Sequence, residues 1–281
     1  MGAISVTLIR FAIVIGFFAL WEIASGRWIE PFLISSPSRI FTSLISGFRE
    51  GDLFQHSWVT LIEIAIGFPI GAIAGIGLGY AFGRSRVLAD IFEPIIIALN
   101  GIPRTALAPL FIVWLGIGVW SKVGVVFLLT FFLNFFNTYT GMRQMDQEYV
   151  DLASLMGVKG WKLTFKVIFP AISPYVFTGI RTSIPFAVIG AIVGEFVGAT
   201  SGLGMLIQSM NFTMDVAGQF SVLLILSMVG LLLNALVTEV RRRVLFWDPS
   251  QKTENVVARP AERRTSVSAS PQRQDSIVTA G

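Results

Sequence analysis

Long apolar runs separated by short polar stretches dominate the chain. Residues 8–24, 58–82, 91–115, 123–141, 180–197 and 220–239 are each apolar and close to the length a helix needs to cross a bilayer, since a hydrocarbon core of about 30 Å takes roughly 20 helical residues. The pattern predicts an all-α integral membrane protein of about six transmembrane helices. The first run also has the make-up of a signal peptide, with Arg10, a short apolar core and the small residues Ala24-Ser25-Gly26. The five runs that follow place the chain in a membrane under either reading.

The polar stretches carry their own signals. Residues 26–57 are amphipathic, with Pro31 and Pro37 as breakers and Ser38 as the expected N-cap of an interfacial helix through Phe41, Leu44, Ile45 and Phe48. In the second run Gly67, Gly71, Gly75 and Gly79 recur every fourth residue, a smooth ridge along which another helix can approach closely. The third run is interrupted by Pro94, Pro103 and Pro109 and holds Asn100 and Arg104. Broken helices at membrane depth are tolerated where they are covered or line a cavity, so this run is a candidate for a translocation path.

Between the fourth and fifth runs, residues 142–173 hold two amphipathic helical patterns joined at Gly157. Tyr149, Leu152, Ala153 and Met156 fall on one face of the first. Trp161, Phe165 and Ile168 fall on one face of the second, beside Lys159, Lys162 and Lys166, and Pro170 and Pro174 are expected to close it. Such an elbow can dock in a partner's groove or lie on anionic lipid.

Composition and charge sharpen this picture. The chain has 281 residues, 54% hydrophobic and only 14% charged, with a mean hydropathy of +0.73, far from an ordinary soluble domain. No cysteine is present, which excludes disulfides, thiolate metal sites and cysteine nucleophiles. His56, the single histidine, receives no role. The pI near 9.7 reflects basic residues in the connections and tail, a distribution that reports orientation in a membrane and not nucleic-acid binding. Lys and Arg gather at 83–90, at 142–173 and just after the sixth run, whereas 198–219 has none. The positive-inside rule then puts both termini in the cytoplasm. The organisation expected is a first helix with an outer amphipathic segment (1–57), a core transmembrane domain (58–247) and a disordered cytoplasmic tail (248–281), whose Ser, Arg, Gln and Glu leave little to bury.

Five carboxyls, Glu22, Glu63, Glu93, Glu195 and Glu239, lie in or at the ends of apolar runs, and a charge at mid-membrane costs several kcal/mol unless paired or wetted. Glu22 and Glu239 can reach the interface. Glu63 and Glu93 are expected to pair with Arg104 or Arg181, and Glu195 to serve in gating or structural pairing. Asn100, Arg104, Thr105 and Ser183, polar groups beside helix-breaking prolines, are the candidates to line a path, where an arginine would attract an anion.

The run Asp151-Leu152-Ala153-Ser154-Leu155-Met156-Gly157, followed by Phe169-Pro170, Pro174 and Gly179-Ile180-Arg181, resembles the EAA motif of ABC importer permeases. Pro94, Ile102-Pro103, Pro109-Leu110, Gly116, Val193-Gly194-Glu195 and Gly202-Leu203-Gly204 are similar to the branch that imports nitrate, sulfonates, taurine or bicarbonate. The resemblance covers roughly residues 58–247. It implies the type I ABC importer permease fold, with a cytoplasmic coupling helix in which Asp151, Ala153, Gly157, Lys159 and Pro170 serve ATPase coupling. It departs from the motif at Asp151, Leu152 and Ser154, where the family carries glutamate, alanine and arginine. It further implies cytoplasmic ATPase subunits that use ATP and magnesium, an extracytoplasmic solute-binding protein, a permease homodimer, a bacterial inner membrane, and no cofactor on this chain. The sequence has no Gly-Lys pair and so no P-loop of its own. The competing reading is an ion-gradient-driven secondary transporter using the buried carboxyls.

Overall fold

A computed structural model of the chain describes residues 3–30 and 33–245, apart from the side chains of Ala3, Ile4, Ser5, Arg86, Glu93, Ile97 and Asn100. The expected tail at 248–281 and the breaker Pro31 lie outside the described residues. The chain divides into two units, one holding residues 18–246 and the other including the first seventeen. Within the latter, residues 3–17 begin the apolar helix α1 (Ala3–Ala24), and the side chains from Val6 to Phe17 are exposed.

Within the larger unit the elements after α1 are α2 (Pro37–Glu50), α3 (Asp52–Arg84), α4 (Arg86–Asn100), a 3₁₀ turn (Arg104–Leu107), α5 (Ala108–Leu115), α6 (Val119–Gln144), α7 (Gln147–Leu155), α8 (Trp161–Leu163), a π turn (Thr164–Ile168), α9 (Phe169–Phe196), α10 (Leu203–Phe212) and α11 (Val216–Val244). Among the described residues five stretches are long and apolar enough to cross a membrane: Val6–Ala24, Asp52–Arg84, Val119–Gln144, Trp161–Phe196 and Val216–Val244. The expected third span is the broken one. It breaks at Gly101-Ile102-Pro103, whereas Pro94 stays inside α4 and Pro109 sits in the first turn of α5, where a missing N–H costs nothing.

The glycine ridge does what its spacing predicts. A β-carbon on Gly67 would lie 2.7 Å from Val126 Cβ, and one on Gly79 would lie 2.6 Å from the Phe135 carbonyl oxygen. Real side chains do not fit at such distances, so α3 and α6 touch backbone to backbone along four turns. The matching pairs rise together in number, so the two helices run parallel. On the other side of α6, Gly179 faces Asn134 and Asn137 while Gly194 faces Lys122, so α9 runs antiparallel to it. One end of the bundle therefore gathers the start of α3, the end of α9 and the start of α11. The other gathers Arg84, Arg143, α7, α8 and the Arg241–Arg243 run.

Two expectations need correction. The fifth span is not confined to 180–197, and Pro170 and Pro174 do not close a separate helix: the helical rod runs unbroken from Trp161 to Phe196. Proline has no N–H to give, so the ladder must adapt. A π turn with Phe169 N–H on the Thr164 carbonyl precedes Pro170, and the Ser173 hydroxyl donates to the Pro170 carbonyl that Pro174 leaves open, at 2.7 Å. The second correction concerns α2, whose N-cap is Ser36 and not Ser38. Ser38 is instead held by Glu22, whose carboxyl accepts from its backbone N–H at 3.0 Å and its hydroxyl at 2.6 Å. That carboxyl thus ties α1 to the first turn of α2.

Candidate functional site

The elbow between α6 and α9 is built from local chemistry. Asp146 caps α7 by accepting from Glu148 N–H at 3.0 Å. At the far end Gly157 adopts φ +81°, its N–H donates to the Ser154 carbonyl, and Val158 N–H donates to the Ala153 carbonyl at 2.9 Å. This paired 6→1 and 5→2 closure is the Schellman motif, which needs a left-handed residue that glycine supplies without strain.

The faces of α7 differ from the sequence expectation. Val150 and Ala153 are buried with Leu163, Ile168 and Ile172 in one apolar cluster against the ends of α6 and α9. Leu152, Leu155 and Met156 point out, Leu155 being 87% exposed. Ala153 therefore belongs to the inner face, not with Leu152 and Met156. Ile168 is likewise buried, whereas Trp161 and Phe165 are exposed, their rings 4.1 Å apart. Of the other residues expected to serve coupling, Asp151, Gly157 and Lys159 lie on the exposed surface, and Pro170 is half-buried in the first turn of α9. The result is a short helix seated by one apolar face and presenting a second, uncovered one.

At the opposite end a polar cluster closes the bundle. Glycine-led α10 starts with no side-chain cap of its own, so its first backbone donors need partners. They find them on other helices. His56 Nδ1 accepts from Gly202 N–H at 2.9 Å, Thr60 Oγ1 accepts from Leu203 N–H at 2.9 Å, and Glu195 Oε2 accepts from Gly204 N–H. The Thr60 hydroxyl in turn donates to Glu195 Oε1 at 2.6 Å. Gly202, at φ +121°, would drive any β-carbon into the Glu195 carboxyl. Glu195 is thus a cap that binds α10 to α3 and α9, and His56, given no role from sequence, is part of the same cap.

Glu63 is also corrected: it does not pair with Arg104 or Arg181. Its carboxyl lies against that of Glu195, and Lys122, buried on α6, is near enough to act electrostatically on both. Gly194 leaves the room for the Lys122 stem, since a β-carbon there would meet Lys122 Cα at 3.1 Å.

The residues expected along a path have different settings. Ser183 is fully buried, accepting from Asn134 Nδ2 at 3.0 Å and donating to the Ile180 carbonyl, so it joins α6 to α9 and lines no opening. Arg104 stacks its guanidinium over the Phe132 ring, 4.7 Å from the centroid, a cation–π contact. Thr105 is exposed in the same 3₁₀ turn, and the side chain of Asn100 lies outside the described residues. Sequence reasoning missed the exposed stripe of α9, where Thr178, Arg181 and Thr182 recur at i, i+3 and i+4. Arg181 also lines a groove of about 670 Å³ between α9 and α11, with Ser227 and Asn234 its other polar walls. Among the described residues no group of three His, Cys, Asp or Glu side chains could hold a metal ion.

A multi-helix membrane bundle with a broken span, a short amphipathic elbow at one end and a polar stripe on an exposed helix face is the framework of a transport permease. Residues 67–245 match the family of binding-protein-dependent transport system inner membrane components, and the chain belongs to that family. It is 36% identical over 233 residues to the formylaminopyrimidine transport permease protein ThiX of Halalkalibacterium halodurans, covering 83% of this chain and 92% of that one. Over 230 residues it is 30% identical to SsuC of Bacillus subtilis, provisionally named an aliphatic sulfonates transport permease protein, with 82% and 83% covered. It is 25% identical over 232 residues to the taurine transport system permease protein TauC of Escherichia coli, with 81% and 84% covered. The expected family and its type I importer permease fold are thereby shown.

Proposed function

We propose that this chain is the membrane subunit of an ATP-driven importer, that separate cytoplasmic ATPases push on α7 through its exposed apolar rim, and that the cargo is a small anion. The observation that carries the reading is α7 itself. A helix of nine residues is too short to be stable alone, yet it is fixed by a cap, a Schellman turn and a buried face, while Leu152, Leu155, Met156 and Trp161 remain uncovered. Apolar anchors on a short rigid helix are what a partner's groove recognises. The basic residues around this end support a cytoplasmic position for it by the positive-inside rule, and the proposal has an external binding protein deliver solute to the α10 end.

Alternating access of two such permeases around a shared path supplies transport, and the stripe Thr178, Arg181 and Thr182 with Arg104 and Thr105 supplies the polar groups that meet the cargo. A guanidinium at membrane depth favours an anion. The relatives named for aliphatic sulfonates and taurine support this class; ThiX, named for a formylaminopyrimidine, defines the competing cargo.

The test is coexpression with ATPase and binding-protein partners, comparing the native chain with Leu155→Asp. A charge at this exposed position should leave folding intact while the ATPase no longer copurifies and binding-protein-stimulated hydrolysis falls to the basal rate. Uptake driven by an ion gradient with no ATPase present would overturn the proposal in favour of a secondary transporter.

A further inference from the structure

The α7 end holds a second feature that the coupling role does not use. A polar cavity of about 780 Å³ opens where the ends of α3 and α6 meet the start of α4 and the inner side of α7. Arg84 and Arg143 both line it, together with Asp90, Gln147, Val150 and Gly83. Their meeting follows from the fold. The glycine ridge holds parallel α3 and α6 in contact to the very end, where Gly83 leaves no room for a side chain against Met142, so the last residue of one helix and the next-to-last of the other emerge side by side. Each arginine singly suits a helix C-terminus. That preference does not require both to face one cavity, and neither is ion-paired among the described residues.

We propose that this cavity binds an oxyanion, a phosphate or sulfonate group, and that the bound group bridges α7 to the ends of α3 and α6. Two guanidiniums offer planar donor pairs that match tetrahedral oxyanions, and the Gln147 amide adds a further donor from the first residue of α7. Asp90 leaves the lining with one net positive charge and can accept from a hydroxyl or ammonium on the same molecule. A phospholipid headgroup and a free cytosolic oxyanion present the same chemistry. Because Gln147 and Val150 belong to α7, occupancy steadies that helix; only this consequence for ATPase coupling rests on the function proposed above.

The experiment uses the full-length chain, purified and delipidated in detergent, with melting followed against inorganic phosphate at constant ionic strength. Phosphate should stabilise the native chain, and Arg84→Gln/Arg143→Gln should raise the concentration required about tenfold. Arg49→Gln, on α2, should change nothing. Arg84→Lys/Arg143→Lys, which keeps the charge, should retain part of the response and so separates lost binding from lost folding. In nanodiscs, stabilisation by phosphatidylglycerol over phosphatidylcholine that disappears in the double glutamine variant assigns the site to lipid, whereas a phosphate response alone assigns it to a soluble anion. An equal response in the native and double glutamine chains overturns the proposal. So does protection of both arginines from phenylglyoxal by the ATPase subunit but by neither phosphate nor lipid, which would make the cavity part of a protein interface. Binding is read without any ATPase, so its failure and the failure of the importer reading are distinguishable.

Discussion

The short helices at the two ends of the bundle are seated by different physics. Where α2 and α10 sit, short helices are tied to the spans by side chain–backbone hydrogen bonds: Glu22 to Ser38, His56 to Gly202, Thr60 to Leu203 and Glu195 to Gly204. Where α7 sits, the short helix is closed by its own backbone at Gly157 and rests on the bundle through Val150 and Ala153. Hydrogen bonds are directional and fix one orientation, and an unpartnered buried donor is costly. Apolar contact is non-directional and tolerates small displacements. On the coupling role proposed above, the difference suits a fixed closure at one end and a lever at the other.

The comparison is broken most severely at Glu195. Glu195→Ala leaves Gly204 N–H buried without its acceptor and the Thr60 hydroxyl with the His56 carbonyl alone, at 3.2 Å, which should cost about 3 kcal/mol. Glu195→Gln keeps an acceptor oxygen and should cost about 1 kcal/mol. Glu63→Gln should cost less than Glu195→Ala, because Glu63 Oε2 makes no hydrogen bond. Unfolding midpoints in detergent give the ranking, and hydrogen exchange gives the place: protection should fall at residues 202–206 and stay unchanged at 147–158. A Glu195→Ala chain as stable as the native, or one that loosens first around α7, would show that the cap does not hold this end.

The lever end is tested at Gly157, where the expected effect on stability is smaller. Gly157→Val forces a β-branched residue into the left-handed region, a strain of roughly 1–2 kcal/mol, while Gly157→Asn should be close to neutral. The valine chain should lose protection of Val158 N–H and most of the stimulated ATPase rate, and its melting should shift less than that of Glu195→Ala. If valine lowers global stability as much as Glu195→Ala does, the elbow is a structural strut and not a lever.

What the sequence disclosed follows from how far each signal reaches along the chain. The α3 ridge was legible because glycine every four residues is a one-helix pattern, and the broken third span because Pro103 sits beside Gly101. The position of α7 was legible too, but its orientation was not: Val150 and Ala153 on one side and Leu152, Leu155 and Met156 on the other are all apolar, so periodicity alone cannot choose the buried face. The prolines misled because Ser173 and a π turn repair a ladder that Pro170 and Pro174 should have ended. Most of the cap of α10 escaped, because the bonds of His56 and Thr60 join residues 135 to 146 positions apart and only Glu195 to Gly204 is local. One signal was present: a helix opening with Gly202-Leu203-Gly204 has no cap of its own, so its first N–H groups must find acceptors elsewhere.

His56 carries the smallest predicted effect and gives the finest test of the cap. Its ring accepts one bond, from Gly202 N–H, at the edge of the network, where Thr60 and Glu195 hold the next two donors independently. His56→Ala should therefore cost about 1 kcal/mol and speed exchange at Gly202 about fivefold, with Gly204 unaffected. Thr60→Val should reach further, because Thr60 both accepts from Leu203 and donates to Glu195, and its loss should expose Leu203 and Gly204 together. Exchange measured at these three consecutive amides separates the cases. A graded response, Gly202 alone for His56 and the following pair for Thr60, means three separate side-chain acceptors hold the start of α10. Equal loosening of all three amides in both variants would mean that α10 is held by its apolar packing, with Leu203 and Leu206 buried in the main core, and that the two ends of the bundle differ less than their hydrogen bonds imply.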